Sequence, residues 1–246
     1  MYILYVLIVI CIFFCLYKKP RIKESYCDPK RYWFMFSNIN TFCINLDSAI
    51  DRKNRMFHRF QFFDLEVTRW KASTPSNLID SFRFPNRVEN ACSQSHILIW
   101  RYFLTTSLPY IFIMEDDVYF DKRWKYKLNN FRKDIEDSQW DCILLNKPVE
   151  KTKLNEWYLC HNKFLSGGYL LSRQGASKLL THFHGKFEDS DHMLVWLQES
   201  HHTYTYDPPL MIQENLDTHL QHDIKSQYNI TTSALKKIHY DIANYL

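Results

Sequence analysis

The stretch Tyr110–Val118, YIFIMEDDV, drives five mostly apolar residues into three consecutive carboxylates, Glu115, Asp116 and Asp117. A short aromatic and β-branched run of this kind marks a strand buried on both faces. Adjacent like charges repel, so they persist where something positive holds them or where water screens them. Were the segment extended, side chains would alternate, with Glu115 and Asp117 on one side and Asp116 on the other. Two carboxylates together at the end of a strand form a hard-cation site. Mg²⁺ or Mn²⁺ suits it, because both keep coordination positions free for phosphate oxygens. The alternative is a solvated acidic turn that caps nearby amides.

Outward from this strand, apolar runs alternate with amphipathic ones. TFCINL (41–46), LEVTRWKA (65–72) and WDCILLN (140–146) read as strands, and TYTYDPPL (203–210) as a short edge. After the first of these, Ser48 with Asp51 three residues on predicts a capped helix. Its buried face would carry Met56, Phe57, Phe60 and Phe63. Residues 73–90, with two prolines, read as loop; residues 91–107 and 188–200 read as helices, and a further helix is expected near 232–245. The alternation predicts an α/β fold with a central, mostly parallel sheet flanked by helices. In such sheets ligands sit beyond the carboxyl ends of the strands, where Glu115–Asp117 lie.

Composition narrows the class. Hydrophobic residues make up 46% of the 246, which excludes a disordered chain. A net charge of +4, from 31 basic and 27 acidic residues, gives no footprint for nucleic acid. Residues 1–17 carry no charged side chain and KKPRIK follows, so the expected organisation is an uncleaved membrane anchor (1–17), a basic and aromatic tether (18–40) and one domain (41–246). The basic flank favours a single-pass protein with its domain on the cytoplasmic side, whereas the sequon Asn229-Ile230-Thr231 would serve only a lumenal domain, so the sequence leaves the facing open. Seven cysteines with no C-x-x-C pair suggest neither a zinc site nor a disulfide framework.

Further residues stand out. The chain has four glycines, and Gly167-Gly168 interrupts an apolar run, which points to close approach of a ligand or to a bulge. EDSD (188–191) opens a helix, and Asp191 in its first turn is a candidate general base. His96 reads as a packed helix residue or a site residue, and Arg52 or Arg55 as solvated or as a phosphate partner.

Six segments, in order, resemble glycosyltransferase family 25: CINLDSAIDRKNRM, ACSQSHILIWR, IFIMEDDV, GGYLLSRQGASKLL, DSDHML, and PPLMIQ with HDI. Ala91 stands where the family pattern has glycine, and His222 falls near its closing serine. The resemblance implies a GT-A-type fold, a UDP-sugar donor, Mn²⁺ or Mg²⁺, and inverting transfer of galactose or glucose. The acceptor would be a hydroxyl of a glycan, lipid or protein. On that reading Asp117 and Glu115 hold the metal, and Asn45, Arg52, Arg55, Asp116 and His96 lie around the donor. Gly167 and Gly168 admit substrate, and Asp191 is the base. Other readings of the same residues are an inactive carbohydrate-binding relative and a metal-dependent phosphohydrolase.

Overall fold

In the computed structural model, residues 39–131, 139–149, 156–213 and 232–246 are described. The expected anchor (1–17) and nearly all of the tether lie outside them. Among the described residues no helix is long and apolar enough to cross a membrane.

Among the described residues the domain is built on nine strands and five named helices. The helix expected near 232–245 is present as a helical stretch at 232–237 with a 3-10 turn at Ile242–Asn244. The strands are β1 (Asn40–Asn45), β2 (Thr68–Lys71), β3 (Tyr110–Glu115), β4 (Val118–Phe120), β5 (Cys142–Leu144), β6 (Glu156–Leu159), β7 (Gly168–Ser172), β8 (Thr203–Asp207) and β9 (Met211–Gln213). The helices are α1 (Ile50–Phe63), α2 (Arg87–Thr105), α3 (Trp124–Asn129), α4 (Arg173–His182) and α5 (Ser190–Gln198). Seven strands make one sheet in the order β2-β1-β3-β7-β5-β8-β6, while β4 and β9 pair separately.

The sheet is mixed, not mostly parallel. β1 runs parallel to β2 and β3, and β5 runs parallel to β8. β7 runs antiparallel to both of its neighbours, β3 and β5, and β6 runs antiparallel to β8. A strand's apolar content reports burial on both faces, and burial is the same whichever way the chain runs.

Side-chain alternation divides the core. Phe42, Ile44, Ile111, Ile113, Tyr169 and Leu171 join one cluster with Ile97, Trp100, Phe103, Leu179 and Leu194 from α2, α4 and α5. Their strand neighbours Cys43, Phe112, Met114 and Leu170 point the other way, into a cluster with Met56, Phe63, Trp124 and Leu128 from α1 and α3. Each such fully buried large apolar side chain contributes about 1.5–3 kcal/mol relative to exposure.

Helix ends follow local chemistry, with some departures from expectation. α1 starts at Ile50 behind Ala49 with no side-chain cap, so Ser48 and Asp51 do not form the expected box. Phe57 is exposed, and Arg59 takes the inward position, its guanidinium over the Tyr119 ring at 3.8 Å. The last carbonyls of α1, at Phe63 and the adjoining Asp64, accept from Lys125. α2 begins four residues earlier than expected, because the Asn86 side chain accepts from the amides of Val88 and Glu89. At its other end Arg173 donates to the carbonyls of Leu104 and Leu108 at 3.1 and 3.2 Å.

Residues 240–246 fold back on the second sheet. Phe120 and Leu246 exchange both backbone hydrogen bonds at 2.8 Å, and Tyr245 packs with Ile212, Leu235 and Ile238.

Candidate active site

The parallel strands β1 and β3 end together, with Ile44 paired to Glu115. Beyond these ends lies a cavity of about 500 Å³. Asn45, Arg52, Glu115, Asp116, Asp117 and Gln213 line it, together with Glu89, Asp189, Asp191 and His192.

The acidic triplet is held from several directions. β3 stops at Glu115 and the chain turns at Asp116–Asp117 before β4, so strict alternation does not apply. Arg52 reaches up from α1 and bridges two of the carboxylates: its Nη2 contacts Asp116 Oδ1 and lies 3.1 Å from Asp117 Oδ2. Asp116 therefore shares the cavity rather than facing away. Asn45 donates through Nδ2 to Asp116 Oδ2 at 2.5 Å and to the Ala49 carbonyl at 3.1 Å, while its Oδ1 accepts from Arg69 Nε at 2.7 Å. That set fixes the amide's orientation.

Glu115 and Asp117 still converge, as the hard-cation reading requires. Gln213 Nε2 lies 3.2 Å from Glu115 Oε2 and 3.4 Å from Asp117 Oδ1. The pair is unequal. Burial, then the Glu115 and Asp116 charges, push the Asp117 carboxyl up to about 7 against the pull of Arg52. Burial also raises Glu115, but the His96 hydrogen bond and charge, with Arg52 and Ser166, hold it below the usual carboxylate range. Asp116 is raised, chiefly by burial, with Arg52 and Asn45 opposing.

His96 is fully buried and does not line the cavity, so it stands behind Glu115 rather than against a donor. Its Nε2 is 3.4 Å from Glu115 Oε1 and its Nδ1 is 2.9 Å from the Tyr169 hydroxyl. Trp100 Nε1 can only donate, and it gives its proton to that hydroxyl oxygen at 2.9 Å. In the neutral tautomer with its proton on Nε2, facing the Glu115 carboxylate, His96 Nδ1 accepts the Tyr169 proton.

The glycines have a different purpose from the one expected. Neither lines the cavity. A Cβ on Gly167 would come within 2.4 Å of Asn146 Nδ2, and one on Gly168 within 2.5 Å of Met211 Sδ. They let β7 pass close to β9 and to the residues after β5, and no positive φ is involved. Gly175 is a packing residue as well, since its Cβ would meet the Asp141 carbonyl oxygen at 2.4 Å. Arg55, one turn on from Arg52, is not among the lining residues.

Asp191 lines the cavity from the first turn of α5, and its Oδ1 accepts from the His192 amide at 2.8 Å. Asp189, at the N-cap, makes no side-chain cap bond. Its carboxyl is raised by burial and by the charges of Glu89 and Asp191. Ser190 ties this helix to the site: its amide donates to Ser93 Oγ at 2.8 Å, and its hydroxyl meets Ser166 Oγ at 2.9 Å. Ser166 is not marked by sequence; Asp189 is marked only within EDSD and Gln213 only as the end of PPLMIQ, neither as a site residue. Gln213 sits 98 positions from Glu115, and the pairing of β4 with β9 is what brings the two together.

With this geometry in view, similarity to known proteins bears on it. Residues 38–158 match the family described as glycosyltransferase family 25 (LPS biosynthesis protein). Mouse procollagen galactosyltransferase 2 is 29% identical over 167 residues, covering 56% of this chain and 27% of that protein. A bovine relative named probable inactive glycosyltransferase 25 family member 3 is 31% identical over 101 residues, covering 37% of this chain and 17% of that protein. The solved glycosyltransferase involved in glycosylation of the PBCV-1 major capsid shares 7% identity at a TM-score of 0.38. That match covers 79% of this chain and 98% of that one, and at this score it carries no weight below. These matches support a glycosyltransferase of family 25. It spans less than a third of the length of the procollagen galactosyltransferases it matches.

Proposed function

We propose that this domain transfers a hexose from a UDP-sugar to a hydroxyl acceptor, with inversion at the anomeric carbon. The observation that carries the reading is the cavity at the carboxyl ends of β1 and β3, where Asn45, Arg52 and the Glu115–Asp117 triplet meet. The family match and the galactosyltransferase relatives support the hexosyl chemistry, with galactose the favoured sugar. The nucleotide-sugar domain is of the GT-A type, and residues 1–17 would anchor it to a membrane, with the basic flank favouring a cytoplasmic domain.

The donor set fits a hard divalent cation. Glu115 and Asp117 both offer oxygens to the cavity; burial first, then the Glu115 and Asp116 charges, raises the Asp117 carboxyl, and a bound cation would favour its ionised form. Mn²⁺ or Mg²⁺ held there would neutralise a diphosphate leaving group. Arg52 sits beside the same carboxylates, placed to contact donor phosphate.

The chain's own groups account for the rest. The acceptor hydroxyl oxygen attacks the anomeric carbon as the bond to the diphosphate oxygen breaks and UDP leaves with that electron pair. The hydroxyl proton passes to a carboxylate of α5, with Asp191 as the base and Asp189 beside it. Inversion follows when the acceptor attacks opposite to the leaving group, with Asp191 and Asp189 on the wall of the same cavity as the acidic triplet.

The test is UDP-hexose turnover by purified protein with Mn²⁺, Mg²⁺ or EDTA. We expect release of UDP that needs a divalent ion and disappears in Asp117→Ala. A second reading, that the Arg52 guanidinium is the resident cation, rests on its bridge to Asp116 and Asp117. Undiminished turnover in EDTA would select it. An absence of turnover with every UDP-hexose would favour an inactive carbohydrate-binding relative.

A further inference from the structure

Cys92 and His96 lie four residues apart on α2, which sets both side chains on one face of the helix. That face meets the end of β3. Cys92 Sγ is 4.0 Å from Glu115 Oε1, His96 Nε2 is 3.4 Å from the same oxygen, and the three ligand atoms all lie within 4.8 Å of one another. Ligand atoms about 2.0–2.3 Å from one tetrahedral zinc stand roughly 3.3–3.7 Å apart, so small side-chain adjustments close the triangle. We propose that Cys92, His96 and Glu115 form a binding site for a borderline-soft divalent cation such as Zn²⁺, distinct in chemistry from the hard-cation site of the acidic triplet.

Three further observations support the site. Cys92 and Glu115 both line the cavity, which gives a path of entry and leaves a fourth position for water. His96 already has a partner on its other nitrogen, the Tyr169 hydroxyl at 2.9 Å, of the kind that orients metal-ligating histidines. A thiol with an imidazole selects zinc-like ions over Mg²⁺ and Mn²⁺. Sequence inspection misses the site because it has no C-x-x-C pair. Its signal is a C-x₃-H spacing on a helix plus a carboxylate from a strand nineteen residues after His96.

Binding has an identifiable cost. The ion displaces the Cys92 thiol proton, which leaves to solvent, and the His96 proton moves from Nε2 to Nδ1, where it points at the Tyr169 oxygen. That change lowers affinity without blocking the site. Because Glu115 belongs to both sites, occupancy here withdraws one oxygen from the acidic triplet.

Co²⁺ is the probe, read by absorption on purified protein with no sugar donor present, so the result does not depend on whether the domain is a transferase. We expect a near-ultraviolet thiolate-to-cobalt charge-transfer band and intense visible bands of four-coordinate Co²⁺, bleached by Zn²⁺. Cys92→Ser should remove the charge-transfer band and weaken Co²⁺ binding by at least about tenfold. His96→Gln, a second variant in case the first misfolds, should lose the intense visible bands. Asp117→Ala should keep both features. A faint octahedral spectrum in the wild type, a charge-transfer band retained by Cys92→Ser, or its loss in Asp117→Ala would each overturn the assignment.

Discussion

Two clusters of buried acid and base lie within a few residues of each other in the chain, and they are built to opposite ends. Around Asp121 the charges are closed off. Its Oδ2 takes Lys127 Nζ at 2.7 Å and the Tyr240 hydroxyl, and its Oδ1 takes the Arg123 amide at 2.7 Å. Lys127 also meets the Tyr240 oxygen at 2.9 Å, and Asp121 is 1% exposed. Around Asp116 and Asp117 one guanidinium serves two carboxylates, a third carboxylate stands beside them, and the group opens on a cavity. In the first cluster each acceptor has its donor, so it stabilises. In the second, Arg52 with the neutral donors Asn45 and Gln213 faces three carboxylates at the cavity, the arrangement on which the proposed cation site rests. Buried charge marks a site where compensation is incomplete.

The largest expected contrast is between two substitutions. Asp121→Ala strands a buried ammonium and should destabilise the fold by about 3–5 kcal/mol, seen as a lower midpoint in chemical denaturation. Asp117→Asn keeps a polar side chain of the same size where burial already raises the carboxyl to about 7, and should change the unfolding free energy by no more than about 1 kcal/mol. It should lower UDP-sugar turnover by about 10²–10³-fold, the loss typical of removing one electrostatic stabiliser. Equal destabilisation by both would erase the distinction.

A pH titration of stability sharpens it. In metal-free protein the Asp117 carboxyl, at about 7, holds a proton that the unfolded chain has released above about 4. The native state binds more protons across that window, so stability should fall as pH rises from 4 to 7. Glu115, lowered in the fold, acts with the opposite sign and only at more acid pH. Asp117→Asn should flatten the decline measured by denaturation in EDTA; an unchanged slope would assign it elsewhere.

Packing near the two clusters gives the next effect. Gly175→Ala sets a Cβ 2.4 Å from a backbone oxygen that cannot swing away, and should cost about 1–3 kcal/mol by thermal or chemical melting. The smallest effect is at the start of α2. Asn86→Ala removes the acceptor for two amides and should cost about 1 kcal/mol, with turnover preserved at permissive temperature.

Much of this was legible in the sequence. β1, β3 and β5 announced themselves because a doubly buried strand must be apolar throughout, and the acidic triplet stood out because it ended one. Asn45, Arg52, Asp116, Asp117, Glu115 and Asp191 all reach the cavity. What sequence could not convey was direction and distance. The reversal of β7 leaves no trace in its composition, since GYLLS packs equally well either way. Gly167 and Gly168 suggest room for a ligand or a bulge because the Asn146 and Met211 side chains that claim the space come from distant parts of the chain, after β5 and from β9. Phe57 was set on the inner face by spacing alone, but Arg59 stacks on Tyr119 there instead. Arg55 and His96 were grouped with the donor by motif, and neither lines the cavity.

Residues 240–246 have an influence that their position at the periphery conceals. Leu246 is zipped to Phe120, and Phe120 is three residues from Asp117. Trimming those last few residues, or displacing them with an appended tag, would free one margin of the β4–β9 ribbon that carries Gln213. The first casualty would be the spacing of the carboxylates, well before the molecule melted.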